Sequence, residues 1–141
     1  MLCGRVAARL ARHVEVALAA VDLTPSQYRV LVRLSQGPSG ASGLASGLAV
    51  SRPSLTAVVD GLVARGLVER SADPSDRRRV GHHLTTAGTR ALEAGDKALE
   101  ERLREVLSHA EPTRAAKVQK GLLALQEPLD EFRAARQAEG G

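Results

Sequence analysis

Two clusters near the middle of the chain carry side chains suited to gripping an anion. Ser51, Arg52, Pro53, Ser54 and Thr56 put three hydroxyls and a guanidinium within six positions, the groups that bond phosphate oxygens and base edges. Arg52 is the one among them able to bind guanine in a bidentate way. Asp76, Arg77, Arg78 and Arg79 form the second cluster. An acid two residues before an arginine can hold the guanidinium extended, and an extended arginine suits a narrow, electronegative minor groove. The plain alternatives are ordinary helix capping for Ser51 and solvated surface charge for the arginines.

Other chemistries find no support. No Ser/His/Asp set, paired catalytic carboxylates or phosphate-binding glycine loop is placed convincingly, and GLASG lacks the lysine of a P-loop. The single cysteine, Cys3, cannot form an internal disulfide, and no Cys/His spacing suits a structural zinc site. Neither an enzyme nor a cofactor nor a metal is expected. Only Tyr28 and Phe132 are aromatic, which argues against stacking platforms for single strands or RNA loops.

The charge distribution points to the same region. Residues 23–85 hold eight Lys/Arg against four Asp/Glu, while the two flanks together hold twelve of each, so the whole net charge of +4 sits in the centre. No apolar run is long enough to span a bilayer and no signal-peptide pattern is present, so a soluble, cytoplasmic protein without a membrane partner is expected.

The elements that must position these clusters follow from periodicity. Leu2, Val6, Leu10, Val14, Leu18 and Val21 predict an amphipathic helix over residues 2–21. Thr24-Pro25-Ser26-Gln27 reads as a capping box opening a second helix that Gly37-Pro38 ends. Between Pro38 and Pro53, with Leu44, Leu48 and Val50 as anchors, a short helix and a turn are expected. Ser51 then caps a helix whose core stripe is Leu55, Val58, Val59 and Leu62. After Gly66 the period becomes two, giving strands at residues 67–70 and 80–84 separated by a nine-residue loop, SADPSDRRR. A helix from Thr85 to about Ser108 follows. A last helix from about Pro112 carries Val118, Leu122, Leu125, Leu129 and Phe132 as a packing seam, kinked at Pro128, with a frayed tail over residues 133–141.

The resulting class is mainly α with a small β-hairpin wing: a winged helix-turn-helix region over residues 23–88, flanked by a helix at 1–22 and helices at 89–141, in one structural domain. In that arrangement the helix before the hairpin enters the major groove of double-stranded DNA. A winged helix that only binds protein is the competing reading, and it would be indifferent to the wing arginines.

LTPSQYRVLVRL, followed by LASGLAVSRPSLTAVVDGLVARGLVERSADPSDRRRV and LTTAG, resembles the MarR family over residues 23–88. The specific parts are VSRPS-x-T, ARGLVER, the D-x-R of Asp76 and Arg78, and L-T-x-x-G. The resemblance implies a transcriptional regulator, a repressor by expectation, that binds a pseudo-palindromic operator as a homodimer. It implies dimerisation through the first and last helices, here Val6, Leu10, Val14, Val118, Leu122, Leu125 and Leu129. A small effector would bind between the dimerisation and DNA-binding parts. Peroxide-sensing relatives carry a reactive cysteine on the first helix among tyrosines, but no tyrosine accompanies Cys3 on its helix, so an incidental role is expected. His82 stands where the family usually has an aliphatic residue. It is a hydrogen-bonded buried histidine, a pH-sensitive element or half of a metal site, although His82 and His83 point to opposite faces of a strand and cannot easily share a metal.

Overall fold

The computed structural model describes residues 2–48, 51–73 and 76–140, and only the backbone of residues 41, 42, 46, 47, 52, 73 and 76–80. In order the elements are α1 (Leu2–Ala19), α2 (Pro25–Ser35), β1 (Ser39–Gly40), α3 (Ala41–Leu48), α4 (Arg52–Ala64), β2 (Val68–Asp73), β3 (Asp76–Leu84), α5 (Thr86–Leu107), α6 (Pro112–Ala124) and α7 (Gln126–Glu139). Residues 1–102 and 103–141 form two compact units. The mainly helical class with its small antiparallel sheet is the one the periodicities imply.

In the first unit, local signals set the helix ends. Thr24 accepts from the Gln27 backbone N–H while the Gln27 side chain accepts from the Thr24 N–H, the reciprocal cap the sequence announces. Apolar stripes from α1 to α4 then converge. Leu18, Leu31, Leu44 and Leu62 are fully buried, and Val68 of β2 and Leu92 of α5 join the same core. Burial of each such side chain stabilises by about 1.5–3 kcal/mol. Val50 lies outside the described residues.

The sheet differs from expectation in two ways. A third strand, β1, pairs antiparallel with β3 through Ser39↔His82 and Gly40↔Gly81. Two residues between helices leave no visible alternation, so periodicity could not reveal it. The nine-residue hairpin loop is also wrong: pairing continues outward through Ala72↔Val80 to Asp73↔Asp76. Continued pairing satisfies backbone N–H and C=O groups that a long loop would leave to solvent.

His82 proves to be buried, and its Nδ1 donates to the Ser39 carbonyl at 3.1 Å. A carbonyl can only accept, so that nitrogen carries the proton. His83 faces the other way, 3.1 Å from Glu69 Oε2. No group of three or more His, Cys, Asp or Glu among the described residues is placed to hold a metal.

In the second unit the expected single helix is two. Pro128 has no N–H and its ring crowds the carbonyl four residues back, that of Ala124. The break falls there, at Leu125, whose N–H bonds Leu122 O at 3.1 Å in a tightened turn. The tail expected to fray is helical to Glu139. Glu111 caps α6, and bonds from the Thr113 and Arg114 backbone N–H groups hold its carboxyl below the usual range.

Tyr28 joins α2 to α5, its hydroxyl donating to Asp96 Oδ1 at 2.5 Å. Burial, then that bond and the nearby carboxylates of Asp96 and Glu100, push the phenol above its ordinary value of 10.0. A raised folded value means that the stabilisation is complete below the unfolded value and is lost as pH climbs through the folded one. The chain has one tyrosine and no tryptophan, so ultraviolet titration reads Tyr28 alone. Phenolate should appear at clearly higher pH in the native protein than in urea, and coincident titrations would refute the half-buried setting of Tyr28 and its bond to Asp96.

Candidate nucleic-acid interface

The first turn of α4 is built by its own hydroxyls. Ser51 accepts from the Ser54 backbone N–H at 3.3 Å and donates to Ser54 Oγ at 2.9 Å. Ser51 is therefore a cap, as its plain reading had it, and the cap leaves other backbone N–H groups of the first turn free of helical partners. Leu55, Val59 and Leu62 point into the core, which turns Pro53, Ser54, Thr56 and Ala57 outward. The Arg52 side chain lies outside the described residues.

At its far end α4 is fixed to the hairpin. Gly66, at φ 72°, adopts the left-handed conformation that glycine tolerates. Its N–H bonds Val63 O at 2.9 Å and the Leu67 N–H bonds Leu62 O at 3.0 Å, a Schellman closure. Thr85 then ties the return of the hairpin to this exit: its hydroxyl donates to Gly66 O at 2.6 Å and accepts from the Gly88 N–H at 3.0 Å, and its own N–H bonds Leu67 O at 3.1 Å. An Arg70–Asp60 ion pair joins β2 to the exposed side of α4, and Arg65 donates to Asp22 O at 2.6 Å. The recognition-helix candidate is thereby held at its exit by the wing and by the α1–α2 turn.

The wing has a specific irregularity. Ala72 pairs with Val80 but the next residue, Asp73, pairs with Asp76. Arg77, Arg78 and Arg79 are the residues left between those partners, so the arginines expected on a loop occupy a bulge of β3. Bulges re-aim side chains. The side chains of Asp76 to Arg79 lie outside the described residues.

Other residues named from the sequence belong to other elements. Val6, Leu10 and Val14 follow one face of α1, with Val6 exposed and Val14 half-buried against the core. Val118 and Leu122 lie on α6 and Leu129 on α7, with Leu125 at the break between them; Leu125 and Leu129 are 51% and 63% exposed. Cys3 is exposed on α1. The role of Asp60 in gripping Arg70 was not legible, because its partner is ten residues away on another element.

Comparison with known proteins follows this geometry. Residues 23–80 match the profile of the MarR family. A mutant MarR from E. coli superposes with a TM-score of 0.79 at 26% identity, covering 88% of this chain and 93% of that one. The transcriptional repressor CouR, solved bound to a 23-mer DNA duplex, gives a TM-score of 0.73 at 30% identity and 88% coverage of both chains. The HTH-type transcriptional repressor NicR of Pseudomonas putida is 40% identical over 74 residues, 52% of this chain and 47% of NicR. The chain spans about half the length of the curated relatives it matches.

The junction between the α4 exit and α5 has a direct test. A Cβ on Gly88 would lie 2.0 Å from Leu67 O and 3.3 Å from Leu84 Cδ2, whereas one on Gly4 would meet nothing within 4 Å. Gly88→Ala should cost about 3 kcal/mol, the top of the usual overpacking range. Gly4→Ala should be neutral or stabilise by up to about 1 kcal/mol. Denaturant midpoints read both, and an unchanged midpoint for Gly88→Ala would contradict the close packing.

Proposed function

The chain belongs to the MarR family, whose members are DNA-binding transcriptional regulators rather than enzymes, and on that premise we propose that it represses transcription by binding a pseudo-palindromic operator as a homodimer. The observation that carries this reading is the likeness, across 88% of both chains, to a repressor solved on a DNA duplex. The repressor sense is also supported by the name of NicR.

In this reading α4 enters the major groove. Its capped N-terminus meets a phosphate, and Ser54 and Thr56 bond phosphates or base edges from its exposed face. Arg52 grips guanine. Arg78, held by Asp76 at the bulge, enters the adjacent minor groove, and Arg77 and Arg79 face phosphates. Two subunits place their recognition helices about one turn of DNA apart. A small effector that lowers operator affinity belongs to the same proposal. Among the described residues no helix is long and apolar enough to cross a membrane.

Binding to the DNA flanking the protein's own gene tests the reading. Arg52→Ala should cost about 1–3 kcal/mol on the preferred operator and much less on random duplex. Arg78→Ala should weaken binding most where the wing meets A·T-rich sequence. If both variants bind like the parent at physiological salt, the winged helix that binds only protein replaces this reading.

The homodimer has its own measurement. Leu129 is 63% exposed, so Leu129→Glu should leave the subunit folded while sedimentation equilibrium reports a shift toward monomer. An unchanged mass would remove α7 from the interface.

A further inference from the structure

The charges of α2 have no role in the core. Its sequence, PSQYRVLVRLS, holds two arginines and no carboxylate. Arg29 and Arg33 are four apart and share a helix face, and among the described residues neither forms an ion pair. Arg29 is exposed, and its Nη2 donates to Ser26 Oγ at 3.3 Å. That bond uses one of five guanidinium donors.

The surroundings of Arg29 give this charge a place. Ser26 and Arg29 form one side of a small cleft, and Ser54, in the first turn of α4, forms the other, over an apolar floor that includes Val30 and Leu55. The cleft thus joins an arginine without an acid partner to the exposed start of the recognition helix. A helix lodged in a major groove about 12 Å wide has a phosphate strand along each side. A cation beside that helix, on the neighbouring element, faces one of those strands.

We propose that Arg29 is a phosphate anchor on α2, gripping the DNA backbone that borders the groove entered by α4. The inference rests on the DNA-binding reading above. It extends the footprint beyond α4 and the wing to a third element. A phosphate contact positions the protein without reading sequence, so Arg29 adds affinity, salt dependence and register but no base preference.

The test compares the full-length parent, Arg29→Ala and Arg29→Lys on operator and on unrelated duplex across a salt series. For Arg29→Ala the slope of log affinity against log salt should fall by about one for each subunit bound. The deficit relative to parent should therefore shrink about three- to fourfold per subunit over a fourfold rise in salt. The loss should be equal on both duplexes, lysine should restore the slope as a point charge, and the thermal midpoint should not move. An unchanged slope for Arg29→Ala would overturn the anchor while leaving the DNA reading intact. A loss confined to the operator would overturn it in favour of a base contact. If the parent binds no duplex, the function reading itself fails, and the anchor fails with it.

Discussion

Thr85 spends its hydroxyl twice, donating to Gly66 O and accepting from the Gly88 N–H. Those two bonds tie the exit of α4 to the hairpin and to α5. The first holds the return of the hairpin against the exit of α4, and the second caps α5. Gly88 completes the junction, because only a residue without Cβ lets α5 approach the Leu67 carbonyl this closely. The L-T-x-x-G pattern is therefore a structural device. Its leucine is half-buried against the core, its threonine closes two elements on each other, and its glycine clears the space. A recognition helix must hold its angle to place hydroxyls against a groove, and most of the polar contacts along α4 act on its far end.

How much of this was legible in the sequence depends on the range of each signal. Caps are local, and Thr24, Gln27 and Ser51 were readable because acceptor and donor lie three residues apart. The α4 stripe was readable because burial imposes a period of 3.6. Partners on different elements were not: Asp60 and Arg70, or Ser39 and His82, meet only after the chain has folded. His82 illustrates the limit. Alternation puts His82 and His83 on opposite faces of their strand, but the partner that fixes the role of His82 sits in a two-residue strand that carries no periodicity. The hairpin departs from expectation for a related reason, since polar composition signals a turn but does not say how far backbone pairing runs past it. Pro128 announces a disruption in the sequence, but the disruption acts one turn upstream, on the carbonyl its ring crowds.

The candidate site was legible by residue type and less so by placement. Three arginines in a row are conspicuous in any sequence. What the fold adds is that they are the residues left over when Ala72↔Val80 gives way to Asp73↔Asp76, which converts a charge run into a bulge at the end of a sheet. Arg29 had the opposite history. It lies in an amphipathic helix where solvated charge is the ordinary reading, and only the cleft it shares with Ser54 sets it apart.

The apolar residues outside the core argue for a second copy on physical grounds. Neither α6 nor α7 contains a buried residue, and Leu123, Leu125, Leu129 and Phe132 are between 51% and 74% exposed. Helices of 13 and 14 residues are marginal in water without tertiary packing of an apolar face. The Glu111 cap satisfies only the Thr113 and Arg114 N–H groups of α6, too little to order two helices alone. A surface that covered those side chains would contribute about 1.5–3 kcal/mol for each one fully buried. The start of α1 carries the same signature in Leu2 and Val6, 74% and 60% exposed. Two such faces at opposite ends of one sequence are what an isologous interface uses, since every apolar patch on one subunit then meets a patch supplied by its twin. These exposed faces are the physical support for the homodimer of the proposed function, which a two-fold operator would also match.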